Sequence, residues 1–407
     1  MNEKEFEKYA SLVLQVGVNL QKGQMVFANC PAKKAELAEI FARRAYELGA
    51  GYVKILFNDE KLDRLAYEHA EERILCDVFP SAVLAKEEIV QKGACYVSLI
   101  AEDPDALAGL NETKLANVSR ARAKAFKNFQ DAVMVNKIRW CVAAIPGKAW
   151  AKKLFPGAKD PEEELWNAIA AAVRLQEADP VSAWRAHIDK LNARAKFLNE
   201  RDFSALHFVS ENGTDLTVGL ADGHFWLAAE ETARDGVKFI ANLPTEEVFT
   251  APHSRKVDGV VKNALPLVYD GSVIDDFSLT FEAGQIVSFS AKRGEGTLRG
   301  VLSTDEGAKR VGEVALIGKN SPIAKAGMLF YNTLFDENAS CHLALGQAYP
   351  TTLRGGGELT KDELAKRGAN DSATHVDFMI GTPDLSVTGI GKDGSETPVM
   401  KNGDWVI

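Results

Sequence analysis

Cysteine is scarce in this sequence, and the five cysteines are odd in number and widely scattered. No two of them form a CxxC pair, so their spacing supports neither a disulfide framework nor a zinc ribbon. Cys30, Cys95 and Cys141 lie in short apolar runs typical of strands, where a buried thiol acts as a small hydrophobic side chain. The cysteines therefore indicate a protein of a reducing compartment.

An excess of positive charge and long apolar runs are also missing. Lys and Arg number 48 against 57 Asp and Glu, which gives a formal net charge of −9. That charge argues against nucleic acid or an anionic membrane surface as the main partner. No apolar run approaches the ~20 residues that a membrane helix needs, and the acidic start lacks the basic region and cleavage site of a secretion signal. We expect a cytoplasmic protein.

Up to about residue 198 the sequence alternates helical and strand-like patterns. "KKAELAEIFARRAYELGA" has a helical stripe, whereas "YVKILF", "ACYVSLIA" and "RWCVAAIP" are short apolar runs typical of buried strands. A long charged helix is predicted over 113–132, and 159–198 is predicted to be helical with a break at Pro180. Strands that alternate with helices predict a parallel sheet covered by helices on both faces.

Beyond residue 199 the pattern becomes β-rich. Short alternating segments such as "DLTVGL" and "FSLTFEAGQIVSFSAK" are separated by the turn signals "ENG", "ADG" and "KDG". A chain of 407 residues exceeds the size of most single cores. We therefore predict an α/β N-terminal domain over 1–198 and a β-rich α+β C-terminal domain over 199–407.

The segment "HVD" places His375 and Asp377 on one face of a predicted strand, since side chains at i and i+2 point the same way. Three further segments of the C-terminal half carry groups that could join them. They supply these candidates: Glu247 in "NLPTEEVFTAP", Glu313 in "DEGAKRVGEVAL", and Asp336, Glu337, His342 and Tyr349 in "FDENASCHLALGQAYP". Gly312 before Glu313 leaves room for close backbone approach.

Taken together, these groups predict a metal site in the C-terminal domain. Imidazole and carboxylate ligands suit zinc, cobalt or manganese, and one carboxylate can bridge two such ions. The absence of a thiolate favours a catalytic site over a closed structural one, which would use cysteines.

The order and surroundings of the four segments resemble the aminopeptidase T group of metallopeptidases, the M29 family. The resemblance implies a two-ion site, with Glu313 as the bridge and Tyr349 assisting catalysis. The implied ligands are Glu247, Glu313, His342, His375 and Asp377, with Glu337 as a further ligand or as a carboxylate behind them. It also implies a homodimer enclosing a cavity that admits short peptides, from which a metal-activated water removes N-terminal residues.

Three other functions were weighed. A nucleotide-dependent oxidoreductase would need a helix after the G-x-G-x-x-G of "TGIGKDGSETPV", but "SETPV" favours a β-hairpin turn instead. A serine hydrolase would need G-x-S-x-G, which is missing, and Cys341 cannot pair easily with the adjacent His342. A non-catalytic binding protein remains an alternative, although it would leave the clustered carboxylates and histidines without a purpose.

Overall fold

The structure, a computed structural model, describes residues 1–269 and 272–407. Two compact units form: Met1–Ala186 with Glu230–Pro244, and His187–Ala229 with Thr245–Ile407. The division between these units falls at 186/187, earlier than the predicted domain boundary at 198/199, and it assigns a later segment, Glu230–Pro244, to the first unit. The boundary at 198/199 stays a prediction. Within the described ranges no helix has both the length and the apolar character needed to cross a membrane.

The first unit begins with helices, and a π-helical turn at Val13–Gly17 follows the first of them. Its α-helices are α1 (Glu3–Leu12), α2 (Ala35–Glu47), α3 (Glu60–His69), α4 (Glu72–Cys76), α5 (Pro80–Gln91), α6 (Glu112–Ala125), α7 (Lys127–Met134), α8 (Lys148–Leu154) and α9 (Pro161–Ala172). The single helix predicted over 113–132 is wrong, because the backbone leaves the helical conformation at Phe126, between α6 and α7. The break lets Phe129 and Val133 of α7 pack against the core around Ile89.

A parallel sheet forms the centre of this unit, as the alternating pattern predicted. Its strands are β1 (Met25–Pro31), β2 (Tyr52–Asn58), β3 (Cys95–Ile100), β4 (Trp140–Ala144) and β9 (Asn242–Leu243), in the order β2-β1-β3-β4-β9. The strands β7 (Glu230–Thr232) and β8 (Lys238–Ile240) pair separately. Cys30, Cys95 and Cys141 are buried free thiols, which confirms their assignment as small core residues.

The second unit is β-rich, which confirms the second half of the predicted fold class. Its larger sheet contains β5 (Ala205–Val209), β6 (Asp215–Leu220), β11 (Pro252–Lys262), β12 (Leu267–Tyr269), β13 (Ser272–Glu282), β14 (Gln285–Arg293), β18 (Ser386–Ile390), β19 (Glu396–Lys401) and β20 (Asp404–Trp405). Strands β18 and β19 pair antiparallel, and Gly391 N–H donates to Ser395 O at 2.7 Å in their connection. The glycine-rich segment is therefore a hairpin turn, as predicted.

Five helices complete this unit or lead into it: α10 (Pro180–Arg201), α11 (Glu295–Leu302), α12 (Pro322–Ala326), α13 (Thr333–Asp336) and α14 (Lys361–Lys366). A smaller antiparallel sheet has the order β10-β15-β16-β17. Its strands are β10 (Val248–Thr250), β15 (Val311–Leu316), β16 (His342–Gly346) and β17 (His375–Met379). Every residue of β15 and β16 is buried, so the register of this sheet is strongly specified.

Candidate metal centre

The register of the smaller sheet places four candidate ligands on one face. Ala344 of β16 lies opposite Glu313 of β15 and opposite Asp377 of β17. Residues opposite one another in antiparallel strands point to the same face, as do residues two apart in one strand. His342 and His375 therefore share that face with Glu313 and Asp377.

Gly312 allows β15 to approach β16 closely enough to aim Glu313 at this face. A Cβ at Gly312 would lie 2.2 Å from Gly346 O and 2.4 Å from Gln347 O, so a larger residue would force the strands apart. The register shifts between Val311 and Glu313, which is the mark of a β-bulge. The close approach predicted from the sequence is present, and the bulge re-aims the residue that follows it.

Glu247, Glu313 and His342 form the first group of candidate ligands. Glu247 directly precedes the edge strand β10, and its Oε2 lies 3.4 Å from His342 Nε2. Glu313 Oε1 lies 3.3 Å from the same nitrogen. One ligand atom from each residue falls within 4.8 Å of the others, which is close enough for a single cation to contact all three.

Glu313, His375 and Asp377 form the second group on the same criterion. Glu313 Oε2 lies 3.8 Å from His375 Nε2, and Asp377 Oδ1 lies 3.3 Å from that nitrogen. Glu313 thus belongs to both groups and directs a different carboxylate oxygen at the histidine of each. A carboxylate shared in this way can bridge two cations.

The orientation of the two imidazoles suits metal binding through Nε2. His375 Nδ1 lies 2.7 Å from Gln347 O, and His342 Nδ1 lies 3.4 Å from Ser340 O. A backbone carbonyl can only accept, so each Nδ1 carries the proton and the ring turns Nε2 toward the carboxylates. Asp377 Oδ1 is buried and accepts no hydrogen bond from the described residues, as expected of a ligand atom. The residues therefore fit a pair of divalent cations.

The carboxylates also determine the charge of the imidazoles. Burial opposes the charged form, but contacts with Glu247 and Glu313 raise the pKa of His342 well above its usual value. Burial likewise opposes charge at His375, while the nearby Asp377 carboxylate raises its pKa to about 10. Burial raises the pKa of Glu313. The carboxylates therefore favour the charged form of both imidazoles while no cation is bound, and a bound cation would take the place of the proton at each Nε2.

Tyr349 and Glu337 lie beside the two groups. The ring of Tyr349 packs against that of His375 with centroids 4.8 Å apart. Burial, followed by the charges of Glu313 and Asp377, raises the pKa of Tyr349 far above its usual value, so the hydroxyl stays protonated. Burial, followed by the charges of Asp377 and Glu247, raises the pKa of Glu337. Glu337 belongs to neither three-residue group found among the described residues.

Ala344 and Gln347 have roles at this centre that the sequence reasoning missed. Gln347 contributes only its backbone carbonyl, which accepts from His375 Nδ1. Every residue type has such a carbonyl, so the sequence could not indicate this role. Ala344 is fully buried between Glu313 and Asp377, where its small side chain leaves room for their carboxylates. In "HLALG", His342 is followed on the same face of the strand by two small residues, Ala344 and Gly346. This alternation is the sequence feature that could have identified Ala344.

Substitution of Ala344 by Val is expected to weaken metal binding about 5–150-fold. The added methyl groups occupy the space between the two carboxylates, and such overpacking costs ~1–3 kcal/mol. Zinc titration of the metal-free protein measures the affinity. Val314→Ile is the matched control, since Val314 pairs with Leu343 on the opposite face of the sheet. Equal zinc affinity in Ala344→Val and the wild type would contradict this role for Ala344.

Comparison with known proteins agrees with the geometry. The family model described as thermophilic metalloprotease (M29) matches residues 2–405. Aminopeptidase 2 of Geobacillus stearothermophilus is 44% identical, covering 99% of this chain and 98% of its own. Aminopeptidase T of Thermus thermophilus is 40% identical, covering 100% and 99%. The structure of wild-type AmpT from Thermus thermophilus superposes with a TM-score of 0.94 at 39% identity over 100% of both chains.

A more distant likeness concerns the fold alone. The structure of 2,5-dihydroxypyridine dioxygenase from Pseudomonas putida has a TM-score of 0.55 at 14% identity, covering 99% of this chain and 96% of its own. The close relatives, in contrast, match over the whole length and confirm both the resemblance seen in the sequence and the prediction of a metallo-aminopeptidase. The chain therefore belongs to the M29 family of metalloproteases and is a hydrolase of peptide bonds.

Proposed function

We propose that the protein is an aminopeptidase that removes N-terminal residues from short peptides at a centre of two divalent metal ions. The observation that carries the proposal is the position of Glu313, which belongs to both groups of candidate ligands. With zinc, cobalt or manganese as the ions, Glu247 and His342 would hold one, His375 and Asp377 would hold the other, and Glu313 would contribute to both. Glu337 is proposed as an additional ligand or a carboxylate supporting the ligands.

Divalent ions in such a pair supply a nucleophile at neutral pH, by lowering the pKa of water, and polarise the scissile carbonyl. The protein's own groups move the proton and hold the developing charge. Glu313 would hold the attacking water and take its proton. Tyr349 keeps its hydroxyl proton and can donate it to the oxyanion of the tetrahedral intermediate.

The substrate range and the assembly are proposed from the family resemblance. An enclosed cavity in a homodimer would admit short peptides and exclude folded proteins, and the cytoplasm is the proposed compartment. Glu337 is a candidate for holding the α-ammonium group of the substrate. Asp336, the other acidic candidate from the sequence, accepts hydrogen bonds from the backbone N–H groups of Phe330 and Asn332. Sedimentation of the active enzyme as a monomer, or cleavage of intact folded proteins, would contradict this part of the proposal.

Metal removal is the direct test of the proposed function. Exhaustive chelation is expected to abolish hydrolysis of aminoacyl-anilides, because no remaining group can activate water, and added zinc, cobalt or manganese should restore it. Elemental analysis of the restored enzyme is expected to give two ions per chain. Peptides with a blocked N-terminus serve as the control and should resist cleavage.

Two results of this experiment would overturn the proposal. Hydrolysis that survives chelation, in protein shown to be metal-free, would exclude a metal-dependent mechanism. Cleavage of blocked and free peptides at equal rates would leave a metalloprotease that is not an aminopeptidase. A non-catalytic binding protein would hydrolyse neither substrate, whatever ion is supplied.

A further inference from the structure

A fully buried asparagine, Asn338, connects two segments of the candidate metal centre. Its Oδ1 accepts a hydrogen bond of 2.8 Å from the backbone N–H of Glu246, which lies 92 positions away in the sequence. Its Nδ2 donates to Leu334 O at 3.1 Å and to Glu337 Oε1 at 3.4 Å. Both ends of the side-chain amide have partners, so the positions of its oxygen and nitrogen are determined by those partners.

Both segments that Asn338 joins bear candidate ligands. The peptide N–H of Glu246 lies one residue before Glu247, whose carboxylate approaches His342 Nε2. At its other end Asn338 contacts the carboxylate of Glu337, which experiences the charges of Asp377 and Glu247. Strand β10, which follows Glu247, pairs with β15 on one side and on the other forms only a bridge between Phe249 and Leu227, so it is held by fewer cross-strand bonds than β15 and β16.

We infer that Asn338 is a positioning residue of the metal centre, which holds the Glu247 segment and the Glu337 carboxylate in place for cation binding. This inference rests on the proposed two-ion function. Only a side chain with an acceptor and a donor can serve both partners, which accounts for asparagine at this buried position. Residues that hold metal ligands from behind contribute about 10–100-fold to metal affinity or activity.

The test compares Asn338→Ala with Asn338→Asp. The Ala variant loses all three hydrogen bonds, whereas Asp has the same shape and retains the acceptor for Glu246 N–H. In metal-free protein, amide exchange over residues 245–247 is expected to rise in Asn338→Ala and to stay near the wild-type rate in Asn338→Asp. The Kd for zinc alone is expected to rise about 10–100-fold in Asn338→Ala, and less in Asn338→Asp.

The matched control is Asn263→Ala. Asn263 Oδ1 accepts from Phe277 N–H at 2.6 Å, and Nδ2 donates to Leu265 O at 3.0 Å, so this residue joins two segments of the larger sheet in the same manner. Its loss is expected to lower the melting temperature without changing the Kd for zinc. A purely structural Asn338 would behave in the same way.

Wild-type zinc affinity in Asn338→Ala, with unchanged exchange over residues 245–247, would overturn the inference. Failure of the wild type to bind zinc, cobalt and manganese would instead overturn the proposed function, while the exchange measurement on metal-free protein would still decide the role of Asn338. If Asn338→Ala does not fold, Asn338→Ser replaces it, because a serine retains a polar group but is too short to reach both partners. The same two measurements then decide the outcome.

Discussion

Glu313→Gln is expected to lower kcat/KM for an aminoacyl-anilide by more than ~10³-fold, a loss of about 4 kcal/mol of transition-state stabilisation. Glu313 is the residue that the two groups of candidate ligands share. A neutral amide at this position cannot bridge two cations, and it cannot take a proton from water. Elemental analysis after dialysis is expected to show fewer than two ions per chain in the variant.

The fold should survive this substitution, since glutamine has nearly the same shape as glutamate. Burial raises the pKa of Glu313, which means that its charged form is disfavoured inside the protein. Glutamine removes that cost, so the metal-free variant should unfold at the same temperature as the metal-free wild type or above it. Exposed Glu306, which pairs with Lys309 at the surface, provides the control variant Glu306→Gln. Normal turnover in Glu313→Gln would remove this residue from the mechanism.

The parts of the fold with strong local patterns could be predicted from the sequence. The strands β1, β2, β3 and β4 appear as apolar runs between helical stripes, and a parallel sheet follows from their alternation. The strand β9 could not be predicted, because Asn242 and Leu243 are only two residues and belong to the sheet through pairing with β4, far earlier in the chain. Periodicity cannot reveal a strand so short.

The candidate ligands could be named from residue type, but their arrangement depends on strand register. Glu313 and Asp377 lie on the same face because both pair with Ala344. A shift of one residue would turn either side chain to the other face. Asn338 could not be recognised from the sequence, since it is neither an imidazole nor a carboxylate and its partner Glu246 is distant in sequence. Residues that hold a site in place become visible only through their contacts.

Tyr349→Phe is expected to lower kcat about 10²–10³-fold while KM and metal content stay near their wild-type values, as for the loss of one donor to an oxyanion. In the proposed mechanism the hydroxyl would donate to the carbonyl oxygen as negative charge develops on it, so its removal should affect the transition state more than the bound substrate. The aromatic ring remains to pack against His375. Steady-state kinetics, with elemental analysis of the same sample, measure both quantities.

The raised pKa of Tyr349 distinguishes this role from that of a general base. Burial and the nearby charges of Glu313 and Asp377 disfavour the phenolate, so the hydroxyl remains a donor through pH 10, where an ordinary tyrosine is half ionised. The wild-type and Tyr349→Phe profiles of log kcat against pH should therefore run parallel up to that pH. Tyr52→Phe removes a hydroxyl at an exposed position of β2 and should leave kcat unchanged. A higher KM or a lower metal content, with kcat preserved, would show that Tyr349 supports the metal ligands and does not act on the tetrahedral intermediate.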